Sequence, residues 1–200
     1  MSRKSGVLEL AVLGLLHESP LHGYELRKRL SAVFGPVKRI SYGSIYPCLK
    51  DLVATGLIAE DTAASVSGIG KRGRTVYKLT AEGKERLQEQ LGEHGPAAWE
   101  DESFGVRLAF FGQTDADVRL KILEGRRTRL EERREKVSTA MSRTREKLDR
   151  YTLELQQHGL ESVEREVRWL NELIATERSP GSGPGKGTVT ARPRSAKSPG

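Results

Sequence analysis

Ser41-Tyr42-Gly43-Ser44-Ile45-Tyr46-Pro47-Cys48-Leu49-Lys50-Asp51-Leu52-Val53-Ala54-Thr55-Gly56-Leu57-Ile58 decides how the first half of this chain folds. Ile45, Leu49, Leu52 and Val53 recur at helical spacing as one apolar stripe, which predicts a helix from Ser41 or Gly43 to Thr55. At about 100° per residue the opposite face carries Gly43, Ser44, Pro47, Lys50 and Ala54, with Tyr46 and Asp51 at its edges. Pro47 falls in or just beyond the first turn, where its missing N–H costs least. Gly56 suits the left-handed position after a helix, and Leu57-Ile58 supplies the apolar contact that accompanies such an ending.

Two further helices precede this one. Val7 to Leu16 is apolar nearly all round, the mark of a helix buried on most sides, and Ser19-Pro20 ends it. A second helix starts near His22-Gly23, stripes Leu26, Leu30, Val33 and Phe34 on one face, and stops at Gly35-Pro36. After the third helix, Leu57 to Glu60 reads as a short strand and Arg74 to Leu79 as its β-branched and aromatic partner. Ser65 to Gly73 between them is a polar, glycine-rich tip carrying Lys71 and Arg72. Thr80 can cap a fourth helix, with Glu82 in its positively polarised first turn. The order α-α-α-β-β-α describes a winged helix-turn-helix over residues 6–92.

In such a fold the third helix is the reader, because a helix fits the major groove and hydroxyls and cations reach base edges and phosphates. Lys38 and Arg39 precede it, and Lys71, Arg72 and Arg74 surround the hairpin. The competing reading of each is an ordinary solvated charge. As a set on one predicted surface they favour DNA.

The same residues carry a family resemblance. Leu13-Gly14-Leu15-Leu16, Pro20-Leu21-His22-Gly23-Tyr24-Glu25-Leu26, Ser41-Tyr42-Gly43-Ser44-Ile45-Tyr46-Pro47, Gly56-Leu57-Ile58, Tyr77-Lys78-Leu79-Thr80 and Glu82-Gly83 make Leu8 to Leu91 resemble the PadR family of bacterial transcriptional regulators. The resemblance implies Ser41, Tyr42, Ser44, Tyr46 and Lys50 as readers, with Lys71, Arg72 and Arg74 on the wing and Tyr24 near the DNA backbone. It also implies a C-terminal helical region that pairs two subunits on a palindromic operator, and a small-molecule effector that releases the DNA. One departure stands out: Gly73-Arg74 runs into Thr75 where family wings often carry proline.

From Leu120, steps of three and four residues meet Leu123, Arg127, Leu130, Arg134, Val137, Met141, Thr144, Leu148, Tyr151 and Leu155. This heptad-like seam predicts one long helix, interrupted by Arg127 and Arg134 and broken at His158-Gly159. Val163, Val167, Leu170 and Ile174 then stripe a returning helix. The stripes serve either a hairpin closed within the chain or the pairing of two chains, and a homodimer is the expectation. Trp99, Phe104, Phe110 and Phe111 are candidates for an effector pocket at the junction, with plain packing as the competing reading.

The chain has 34 Lys and Arg against 27 Asp and Glu, a net charge of +7. Residues 1–92 hold 14 basic and 9 acidic residues, 93–178 hold 16 and 18, and 179–200 hold 4 and none. The reading domain and the tail are therefore basic, while the dimerisation domain is slightly acidic. The Gly-, Pro- and Ser-rich composition of 179–200 predicts a disordered tail. No run approaches the roughly 18 apolar residues of a membrane span, and a single cysteine points to the reducing cytoplasm. Cys48 reads as a small buried hydrophobe rather than a redox sensor, and His17 and His22 lack metal-ligand spacing. No nucleophile–base set appears, so no enzyme activity, cofactor or metal is expected. An adaptor using the coiled coil, with the winged helix as a packing module, is the alternative to a DNA-binding regulator.

Overall fold

A segment that is apolar on all sides must be surrounded, and α1 (Arg3–Glu18) is surrounded. The computed structural model describes residues 3–35, 42–61, 75–144 and 148–179. Leu8 through Leu16 of α1 are buried, and strand β1 (Leu21–His22), α2 (Gly23–Phe34) and α3 (Tyr42–Ala54) follow. Strands β2 (Ile58–Asp61) and β3 (Val76–Leu79) lead into α4 (Ala81–Gly92). Helices α2, α3 and α4 and strand β3 all pack on α1. The one acidic side chain in this buried run, Glu9, accepts hydrogen bonds from Arg86 Nε at 3.0 Å and Gln90 Nε2 at 2.8 Å. A buried carboxylate is tolerable only when paired in this way.

The sheet has three strands where the sequence pattern predicts two. Its order is β1-β3-β2, all antiparallel, with Leu21 opposite Tyr77 and Ile58 opposite Leu79. Strand β1 is two residues held between Pro20 and Gly23, too short for any alternation to show. The expected hairpin tip, Ser65 to Gly73, lies outside the described residues.

Helix α3 closes as its sequence predicts. Gly56 adopts φ 75°, and the Gly56 and Leu57 N–H groups donate to Val53 O at 3.0 Å and Leu52 O at 2.9 Å. Thr80 caps α4, its hydroxyl accepting from Gly83 N at 3.0 Å, with Glu82 in the first turn.

Beyond α4, a 3-10 turn (Pro96–Ala98), helix α5 (Phe104–Ala109) and a second 3-10 turn (Phe111–Gln113) lead into α6 (Ala116–Thr144) and α7 (Arg150–Arg178). Here two expectations fail. The long helix does not run from Leu120 to Leu155, and His158-Gly159 does not break it. The second helix starts instead at Asp149, whose carboxylate accepts from Tyr151 N at 2.9 Å and Thr152 N at 3.0 Å. Two satisfied N–H groups define that start, whereas glycine inside a long helix costs only about 1 kcal/mol. Leu148, Tyr151 and Leu155 therefore do not extend the stripe that begins at Leu120.

Helices α6 and α7 pack along each other within one chain. Leu123, Leu130, Val167, Leu170 and Ile174 form a second core with Ala98, Phe104 and Ile122, and Leu120 and Val163 pack against it partly buried. Five of the residues expected at a dimer seam are thus buried by their own chain. The distal half differs: Val137, Met141 and Leu148 are half-buried, Tyr151 is 83% exposed and Leu155 70% exposed.

Leu26→Ala and Leu170→Ala each empty a fully buried site, one in each core. Each should cost about 2–5 kcal/mol by denaturant unfolding, and the double variant should lose the sum of the two within about 0.5 kcal/mol.

Candidate nucleic-acid interface

The stripe that seats α3 also determines what the helix offers to solvent. Ile45, Cys48, Leu49 and Leu52 face the core, while Gly43, Ser44, Tyr46, Pro47, Lys50, Asp51 and Ala54 are exposed. Tyr46 is 51% exposed and Tyr24, in the first turn of α2, is 69% exposed with the Arg27 guanidinium 5.8 Å from its ring centre. Large aromatics with a polar tip, held outward beside cations, are suited to phosphate and base-edge contact.

Tyr77 links these two positions, and the sequence reading did not single it out. Its buried ring lies where a Cβ on Gly23, immediately before Tyr24, would just touch it. Burial pushes the Tyr77 phenol above its usual range, and the Glu60 carboxylate and Tyr46 push it further the same way. Only its place in the central strand shows this, since in sequence it is one more β-former.

Lys38, Arg39, Ser41, Lys71, Arg72 and Arg74, and the side chain of Tyr42, lie outside the described residues. Of the expected readers, Tyr24 on α2 and Ser44, Tyr46 and Lys50 on α3 are exposed.

Residues 12–89 match the model of the transcriptional regulator PadR-like family. These residues form a PadR-like domain. The negative transcriptional regulator PadR of Bacillus subtilis (strain 168) is 33% identical over 90 residues, 45% of this chain and 48% of that protein. The chain therefore aligns with about half the length of this curated relative. Among solved structures, Bacillus subtilis PadR in complex with operator DNA is 21% identical, covering 86% of this chain and 99% of that one, with a TM-score of 0.42. The same protein in complex with p-coumaric acid is 21% identical over the same shares, with a TM-score of 0.40.

The PadR-like domain is joined to the helical hairpin by α5, which places residues in both cores. Phe110, at the end of α5, belongs to the first core and lies so close to Gly14 of α1 that a Cβ there would overlap its ring. Phe104, at the start of α5, belongs to the second core and meets Trp169 edge-on at 6.2 Å. Trp99 and Phe111 pack against that second core as well. Of the four aromatics, Phe110 belongs to the first core, while Trp99, Phe104 and Phe111 belong with the second. A cavity of about 190 Å³ lies elsewhere, between α1, α4 and α5, with Val7, Leu10, Arg86, Gln90, Ser103 and Arg107 among its walls.

Two buried arginines hold this junction. Arg107 donates through Nη1 to Gln90 O at 2.7 Å and Glu93 O at 3.0 Å, closing the end of α4, and pairs with Glu93 at 2.8 Å. Burial pulls Arg107 below its ordinary value and Glu93 opposes that pull. Arg126 lies 5.2 Å from the centre of the Phe104 ring, donates to Trp99 O and pairs with Asp101 and Glu166. That contact holds the Asp101 carboxyl below its usual range.

Cys48 sits on the core side of α3, and burial, reinforced by Glu9 and Asp51, pushes its thiol up to about 11. The folded protein therefore binds the thiol proton more tightly than the unfolded chain, whose cysteine titrates near 9. This contribution to stability is complete below about pH 9 and is lost as pH rises toward 11. Denaturant midpoints should fall across that window in the native chain and fall less in Cys48→Ala. Alkylation of Cys48 at neutral pH should be slow until the protein is unfolded.

Proposed function

We propose that this chain is a sequence-specific transcriptional regulator, a repressor that binds double-stranded DNA as a homodimer on a palindromic operator. The observation that carries it is the exposed face of α3, where Ser44, Tyr46 and Lys50 stand clear of a stripe already committed to the core. The PadR-like domain over residues 12–89 supports the same reading. The name of the Bacillus subtilis relative, a negative regulator, supports repression. Residues 1–92 act as the reading domain and 93–178 as the pairing domain, while the basic segment 179–200 adds sequence-independent attraction. The chain works as a regulator and not as an enzyme. A small-molecule effector belongs to the same reading, and the cavity between α1, α4 and α5 has the volume of a single-ring compound.

Selection from a random duplex pool should recover a two-fold symmetric site with half-sites about 10 base pairs, or a multiple, apart. Affinity for it should fall steeply with salt. Lys50→Ala, Lys71→Ala and Arg72→Ala should each flatten the log–log slope by about 0.9 wherever one phosphate contact is lost. Salt-independent binding, or full function after all three changes, would favour the adaptor instead. Changes at Ser44 or Tyr46 should redistribute preference among sites rather than weaken all of them equally.

Pairing is expected through the distal half of the hairpin, where Tyr151 and Leu155 are exposed and Val137 and Met141 half-buried. Apolar side chains left out of the chain's own core are the ones available to a second copy. Tyr151→Glu with Leu155→Glu should convert dimers to folded monomers in sedimentation, with helicity retained. A dimer that survives both charges would place the interface elsewhere.

A further inference from the structure

Three backbone segments meet where the reading helix ends. Gly56 and Leu57 close α3, β2 begins at Ile58, and α4 starts after Thr80. The Thr80 hydroxyl lies among them, 2.7 Å from Gly56 O and 2.9 Å from Leu57 O, donating its single proton between the two carbonyls. Its oxygen accepts from Gly83 N at 3.0 Å, and the Thr80 backbone N–H donates to Leu57 O at 3.2 Å. Helix α4 approaches so closely that a Cβ on Gly83 would overlap the Leu57 carbonyl.

An ordinary helix cap needs only the acceptor that Thr80 offers to Gly83. The donor half of the hydroxyl is spent on a different helix, on residues 24 and 23 positions earlier in the chain. Apolar packing alone lets a helix tilt by small rotamer adjustments, whereas short hydrogen bonds between backbone and a stiff β-branched side chain resist it.

We propose that Thr80 is a positioning residue for DNA recognition, fixing through its hydroxyl the angle between α3 and the β2–β3 strands that carry the wing. The inference rests on the DNA-reading function proposed above. Its signature follows from the way duplexes are bound. Base-edge contacts fail when a helix is tilted, while phosphate attraction tolerates the same tilt. A loosened junction therefore costs discrimination before it costs non-specific affinity.

The test uses the full chain, the duplex that it selects from a random pool, and a random-sequence duplex of equal length. Thr80→Val keeps the shape and removes both donor and acceptor. It should lower affinity for the selected duplex by about tenfold or more, the scale of one misread base pair, and leave the random duplex within about twofold. Thr80→Ser should restore the native ratio of the two affinities. Thr80→Asp keeps an acceptor for Gly83 N–H, so α4 stays capped, but sets a carboxylate against the Gly56 and Leu57 carbonyls. It should lower the ratio as Val does, and it decides the matter if the Val variant fails to fold. A ratio unchanged in the folded variants, or equal losses on both duplexes, overturns the positioning role. A native chain that enriches no duplex overturns the DNA-reading function instead.

Discussion

Helix α1 has almost no polar side to give to water, and the rest of the PadR-like domain is arranged by the need to cover it. Leu8, Leu10, Ala11, Val12, Leu13, Leu15 and Leu16 are all buried, so α2, α3, α4, the sheet and α5 each take a sector of its circumference. Burial of a leucine side chain contributes about 1.5–3 kcal/mol, far more than an exposed ion pair, and this ordering of magnitudes sets the architecture. Glu9 interrupts the run without weakening it because Arg86 and Gln90 reach it from α4. The same pair ties α4 to α1 in a defined register, which apolar contact alone would leave freer.

That constraint also explains the junction. Helix α5 is too short to have a core of its own, yet it places Phe110 in one core and Phe104 in the other. Arg107 then closes the carbonyl end of α4 at Gln90 and Glu93, and Arg126 meets the Trp99 carbonyl that follows the first 3-10 turn. Neutral donors would serve geometrically, but a guanidinium supplies several donors in one plane and also meets a carboxylate. The PadR-like domain and the hairpin are thereby coupled through covered, directional bonds rather than through a linker.

Much of this was legible in the residue pattern. The three-four spacing of Ile45, Leu49, Leu52 and Val53 defined the faces of α3, and Gly56 and Thr80 marked its end and the start of α4. Periodicity speaks for elements several turns long, and it was silent about β1, which exists because β3 lies beside it. The long seam misled for a related reason. Heptad spacing continues from Leu120 to Leu155 as arithmetic, while Asp149 ends that continuity by capping a new helix, a local bond with no periodic signature. Buried arginines were hidden too, because a charge flanked by other charges on a helix reads as solvated until a partner element folds onto it. Arg127 and Arg134 drew notice as interruptions, and the neighbouring Arg126 is the one buried.

On the proposed DNA-binding function, the exposed face of α3 separates attraction from discrimination. Its one cation in the described span, Lys50, stands next to an exposed Asp51, so the helix adds little net charge to the surface. Among its described polar side chains, the Ser44 hydroxyl and the Tyr46 phenol are exposed and neutral. A reader of this composition cannot draw DNA toward itself by its own field, since that field depends on net positive charge gathered over a wide area. On the proposed function the attraction comes from other parts of residues 1–92, which hold 14 basic against 9 acidic residues. Hydroxyl and phenol contacts are short and directional, and they distinguish sequences only when the helix is held at a fixed depth and angle. On the proposed function, then, specificity is a property of how rigidly α3 is mounted as much as of which side chains it carries.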